Sequence, residues 1–228
     1  SEVTDEARKL LNDVFSVFLL VMVLVSFVAY IFMPFLVSII APGFSLAMQG
    51  DVIALSRIML LSPILLGLSN LFGTITQLFQ KFFLYALSPI FYNVGIIIGI
   101  VFLYPYFGMN GLVYGVILGA LFHFLIQFAS AMGCNFSPRL NFSPNWREIK
   151  NVVLTSLPRT LGLSLNSMAL IAIIAFASYL SIGSISIFNL SLNLQSVPLN
   201  IIGISYAVAA FPTLVKSFGG GDNTLFKK

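Results

Sequence analysis

From residue 14 to residue 40 the chain carries no charged side chain, and further apolar runs follow at 52–77, 82–104, 112–132, 152–180 and 184–215, interrupted by charge only at Arg57 and Arg159. An α-helix needs about 20 predominantly apolar residues to cross the hydrocarbon core of a bilayer. The runs therefore predict an all-α fold, a polytopic transmembrane helix bundle of about six spanning helices. A β-barrel does not fit, because its strands are shorter and alternate apolar with polar residues throughout. Composition agrees: 8% of the residues are charged, against roughly 25% in soluble domains.

Basic residues set the expected orientation, since Lys and Arg accumulate in short cytoplasmic loops. Arg8, Lys9, Lys81, Arg139, Arg147, Lys150, Arg159, Lys216, Lys227 and Lys228 fall on one side of a six-span alternation, and only Arg57 falls on the other. Both ends of the chain are then expected in the cytoplasm. The turns near APGFS, YPYFGMNG and SIGS face outward. The net charge of +4 reports this topology and gives no reason to expect a nucleic-acid partner. The opening SEVTDEARKLLNDVF is a charged helical lead-in, unlike the basic stub and short apolar core of a signal peptide. Lacking an initiator methionine and ending in GGGDNTLFKK, the sequence reads as a stretch of a longer protein.

Four runs hold Pro34, Pro63, Pro89 and Pro198. Each removes a backbone hydrogen bond, and in a membrane neighbouring helices must supply a donor for the carbonyl it frees. Between the fourth and fifth runs lies GCNFSPRLNFSPNWREIKN, the longest polar connection, with NFSP written twice. Its length marks a boundary between lobes. Residues 1–133 are expected to form four spans of one lobe, 134–150 a cytoplasmic connection, and 151–228 two helices of a second lobe with a cytoplasmic tail. Ser143 and Pro144 suit an N-cap and first helical position. Trp146, with Arg147 and Lys150, suits the headgroup level.

Catalytic apparatus is not readable. All seven acids lie outside the runs or at their margins, leaving no carboxylate within the membrane to relay protons or hold a cation. His123 is the sole histidine and Cys134 the sole cysteine, too few for a thiolate–imidazole metal site or a disulfide framework. His123 and Gln127, one helical turn apart, read as a hydrogen-bonding packing pair. The expectation is a protein that is not an enzyme and uses no metal or cofactor.

Amides and hydroxyls remain: Ser69, Asn70, Thr74 and Gln77 in the second run, Asn93 in the third, and Ser164, Asn166 and Ser167 in the fifth. Interhelical bonds from such groups contribute about 0.6–2 kcal/mol each, so packing accounts for most of them. The sixth run is different. NLSLNLQSVPLN alternates like a strand, yet at about 100° per residue Asn189, Asn193, Ser196 and Asn200 gather on one helical face ahead of and across Pro198. Such a stripe suits the wall of a wet cavity, with Pro198 as a hinge.

Several patterns together resemble the MurJ (MviN) lipid II flippase family of the MATE/flippase superfamily: APGF at Ala41 to Phe44, SPIFYN at Ser88 to Asn93, LPRTLGLSLNS leading into FASYLSIGSIS, and LNLQSVPLNIIGISYAVAAFPTL. The resemblance implies spans three to eight of about fourteen. It also implies an inner-membrane flippase that moves a polyprenyl-diphosphate-linked peptidoglycan precursor by alternating access. Lipid-linked precursor, membrane lipids and peptidoglycan-synthesis proteins are the implied partners. Asn189, Asn193, Ser196 and Asn200 become substrate-binding candidates. Relatives commonly place an arginine where Asn193 stands, often an acid at Ser196, and often an acid or amide at Ile173. A drug or polysaccharide exporter of the same superfamily and a non-transporting membrane scaffold are the alternatives. An intramembrane enzyme would need catalytic groups from beyond this sequence.

Overall fold

The computed structural model describes residues 5–134, 136 and 138–204. All regular elements among them are helical: α1 (Asp5–Ile40), α2 (Leu46–Met59), α3 (Leu61–Leu78), α4 (Phe82–Ile98), α5 (Tyr104–Phe107), α6 (Met109–Met132), α7 (Trp146–Ala177) and α8 (Ser184–Pro198). Taken across short breaks, they make six segments long and apolar enough to cross a membrane, as the apolar runs predict. The strand-like alternation at residues 189–195 is helix. Residues 205–215, with Pro212, and the expected tail lie outside the described residues.

Helix α6 is the centre of the four-span bundle, packing on α2, α3 and α4. Glycines make the α4–α6 contact possible. Gly95 of α4 and Gly99, at the start of the π-helical turn that continues it (Gly99–Leu103), meet Gly111, Gly115 and Gly119 of α6, and a Cβ on Gly99 would stand 2.5 Å from the Gly115 Cα. Water drives no burial between helices in lipid, so close backbone approach and dispersion carry the association. The four-residue glycine spacing is the sequence signal for this contact.

A second cluster joins α1, α3 and α6 around Phe72, whose ring lies 5.8 Å from Phe15, 5.9 Å from Phe124 and 5.4 Å from Phe128. The polar connection is tied into it. Of the two NFSP copies, Phe136 is fully buried in this core beside Cys134, whereas Phe142 is 91% exposed. Farther along, Asn12, Asp13 and Ser16 of α1 take hydrogen bonds from residues 139–145. Arg139 N–H donates to Asn12 Oδ1 at 2.9 Å, Asn141 N–H to Ser16 Oγ at 2.7 Å, and Asn145 N–H to Asp13 Oδ2 at 2.9 Å. Asp13 is 0% exposed.

The helix start differs from the expectation at Ser143–Pro144. Helix α7 begins at Trp146, and Asn145 caps it: Asn145 Oδ1 accepts from Arg147 N–H at 3.2 Å, and its carbonyl from Glu148 and Ile149. Ser143 N–H is instead held by Asn141 Oδ1 in a local turn at 3.0 Å.

Prolines interrupt the ladder in several ways. Pro63 cannot donate to Met59, and the second span breaks there into α2 and α3 around Leu60. Pro34 frees the carbonyl of Tyr30, which accepts from Arg57 Nε of α2 at 3.2 Å. The Arg57 guanidinium also lies 4.7 Å from the centroid of the Tyr30 ring, within cation–π range. Pro89 frees the carbonyl of Tyr85, and Gln127 Nε2 of α6 points at it from 3.4 Å while donating to Ser88 Oγ at 2.8 Å. Pro158, absent from the four prolines singled out in the sequence, stands inside α7. Pro198 ends α8, and the backbone runs on as a π-helical turn, Leu199–Ile204.

The chain divides into two compact units, Ser1–Ala172 and Ile173–Lys228, a division that falls within α7. The first holds the four-span bundle, the connection and most of α7. The second holds α8.

Candidate functional site

Helix α8 follows a turn at Gly183, whose φ of 97° lies in the left-handed region that a Cβ disfavours. Asn189, Asn193 and Asn200 are exposed and Ser196 is half-buried. The hydroxyls of the helix turn inward on their own backbone: Ser196 Oγ donates to the Asn193 carbonyl at 2.7 Å and Ser191 Oγ to Ile187 at 2.9 Å. The three asparagine amides have no hydrogen-bond partner among the described residues. Each offers two donors and one acceptor oxygen.

Such groups are costly against hydrocarbon and stable against water or a polar ligand. Chemically the stripe can accept from sugar hydroxyls and donate to phosphate oxygens, without the long-range attraction of a cation. Pro198 lies at the junction of the α-helical and π-helical stretches, and Ile173 is exposed on α7.

Other polar candidates separate into packing and surface. His123 and Gln127 do form packing bonds, but not with one another. Ser69 Oγ lies 2.6 Å from His123 Nδ1, tying α6 to α3, while Gln127 reaches Ser88 and Tyr85 on α4. They are one turn apart on a helix wedged between two neighbours, so each serves a different one. Asn70, Thr74 and Gln77 make a second exposed polar stripe on α3, at spacings of four and three. Thr74 Oγ1 donates to the Asn70 carbonyl at 3.1 Å. Their spacing was a readable signal that the packing interpretation absorbed. On α7, Ser164 and Ser167 donate to Thr160 and Leu163 of their own helix, and Asn166 is exposed. No group of three or more His, Cys, Asp or Glu gathers among the described residues.

These features define a polytopic α-helical membrane protein whose distinctive polar surface is an amide stripe on a spanning helix. Comparison with known proteins gives the family. The profile described as "Lipid II flippase MurJ" matches residues 1–228, and the chain belongs to that family. It is 31% identical over 160 residues to the probable lipid II flippase MurJ of Borreliella burgdorferi, covering 70% of this chain and 32% of the relative. It is 30% identical over 192 residues to that of Buchnera aphidicola subsp. Acyrthosiphon pisum, covering 82% and 38%. The lipid II flippase MurJ of Burkholderia cenocepacia is 25% identical over 177 residues, covering 75% and 34%. The chain thus spans about a third to two fifths of the length of these curated relatives.

Proposed function

We propose that this chain is part of a lipid II flippase, a transporter rather than an enzyme, that carries a polyprenyl-diphosphate-linked peptidoglycan precursor across the inner membrane by alternating access. Family membership over residues 1–228 carries the reading. In it, residues 1–133 supply four spans of one lobe, 134–150 the cytoplasmic connection, and 151–228 the opening helices of the second lobe. The bias of Lys and Arg supports cytoplasmic placement of both ends. Asn189, Asn193, Ser196 and Asn200 bind the polar head group by hydrogen bonds, and Pro198 is the hinge. The exposed amides, without a hydrogen-bond partner among the described residues, support the first assignment, and the change of helix type after Pro198 supports the second. Proteins of peptidoglycan synthesis are the proposed partners.

The test is Asn193→Leu in the complete protein, scored by rescue of flippase-depleted cells at matched membrane abundance. The reading expects rescue to fall at least about tenfold, the scale of one lost hydrogen bond to a charged group. Normal rescue would remove Asn193 from the substrate path. A second reading, an exporter of drugs or polysaccharides in the same superfamily, is favoured by the uncharged pair Asn193 and Ser196. Failure of the unsubstituted protein to rescue would select it.

A further inference from the structure

We infer that Asp13 is a positioning residue: its buried carboxylate caps the fifth spanning helix from the first, so that α1 determines where α7 begins. The two helices are far apart in sequence, and the contact is made by hydrogen bonds that leave the carboxylate no solvent. Asn141 Nδ2 donates to Oδ1 and Asn145 N–H to Oδ2, the latter at 2.9 Å. Asn145 is the cap of α7, so its backbone N–H answers to α1 while its side chain and carbonyl answer to the first turn of α7.

Asn12 and Ser16, on the same face of α1 as Asp13, take Arg139 N–H and Asn141 N–H. Ile149, one turn into α7, is the buried residue of that helix. No Lys or Arg forms an ion pair with Asp13 among the described residues. A buried carboxylate without a cation needs its charge offset otherwise. Here N–H donors and the positive end of the α7 macrodipole do so.

The arrangement explains why an acid stands in α1 just ahead of a run without charge. An apolar side chain would strand the Asn145 N–H and leave Asn141 Nδ2 with the Ser143 carbonyl, 3.4 Å away, as its acceptor. Asparagine, of the same shape, would set an amide N–H against one of these donors. The connection is therefore a strap with a fixed register on α1, although its composition reads as a free linker. This holds whether or not the flippase reading does.

The test is limited trypsin digestion of the complete protein in detergent, following cleavage after Arg139 by mass spectrometry. Cleavage of a native chain tracks the population of the locally opened state. Asp13→Asn and Asp13→Ala are expected to raise cleavage after Arg139 by about tenfold or more, with cleavage after Lys81 unchanged. Asn141→Ala, which keeps the carboxylate and removes one donor, is expected to give a smaller rise at the same bond, and it is the reading variant where Asp13→Ala does not fold. Wild-type cleavage after Arg139 in Asp13→Asn or Asn141→Ala would overturn the inference. So would an equal rise after Lys81, because the carboxylate would then stabilise the bundle as a whole and not the strap.

Discussion

Pro34 and Pro89 in the first four spans and Pro158 and Pro198 in the last two helices look alike in sequence and meet different surroundings. Pro34 and Pro89 free carbonyls that a side chain on a neighbouring helix takes up, Arg57 in one case and Gln127 in the other. Pro158 and Pro198 free the carbonyls of Leu154 and Leu194, and among the described residues no side chain donates to either. A proline in a spanning helix is thus a fixed bend or an open one according to what lies beside the carbonyl four residues earlier. The proline itself carries no such information.

The strongest way to break this contrast is through the glycines. Gly115→Leu places a side chain against the Gly99 backbone, whereas Gly162→Leu on α7 places one where nothing lies within 4 Å of the Cβ. The first is expected to destabilise by about 3 kcal/mol or more, since helices that touch through backbone cannot yield to a side chain. The second is expected to stay within about 0.5 kcal/mol. Thermal unfolding of the two purified variants in detergent checks both. Equal tolerance would mean that α4 and α6 do not pack as closely as described.

A smaller effect sharpens the point about bends. Arg57→Leu is expected to cost about 1–3 kcal/mol, the penalty for leaving the Tyr30 carbonyl unsatisfied away from water. In a Pro34→Ala background most of that cost is expected to vanish, because alanine at this position supplies the N–H that proline lacks. The two changes form a double-mutant cycle read by unfolding temperature. Additive losses would show that Arg57 acts through something other than the carbonyl.

Arg57 also illustrates what sequence reasoning reaches. The apolar runs located the six segments that, among the described residues, are long and apolar enough to cross a membrane, because span length is set by bilayer thickness and leaves little room for another reading. Family patterns around Pro198 led to the right family for a similar reason: turn and kink residues are few in kind. Arg57 was legible only as an exception to the positive-inside pattern. Its partner is a backbone carbonyl of another helix, and backbone groups leave no mark in the sequence. Asp13 escaped in the same way, its donors lying in a connection whose composition resembles a linker. The twin NFSP copies make the limit plain, since identical words place Phe136 in the core and Phe142 outside it. For the α8 stripe, spacing disclosed the shared face and the exposed amides, but what meets that face is a matter for the transport experiment.

The smallest effect concerns one hydroxyl in the bundle. Ser69 and Ser88 are buried and bonded across helices, while Ser130 Oγ and Gln127 Oε1, on one turn of α6, are buried with no hydrogen-bond partner among the described residues. A buried hydroxyl with no partner costs stability, and removing it returns part of that cost. Ser130→Ala is therefore expected to leave the unfolding temperature unchanged or to raise stability by up to about 1 kcal/mol, although serine-to-alanine changes at bonded sites usually destabilise. A loss of stability would mean that Ser130 has a polar partner after all, an enclosed water being the simplest that both atoms could share. Gain or neutrality would mean that the bundle is dry at this level. Ser88 would then be the working hydroxyl there, accepting from Gln127 beside the carbonyl that Pro89 sets free.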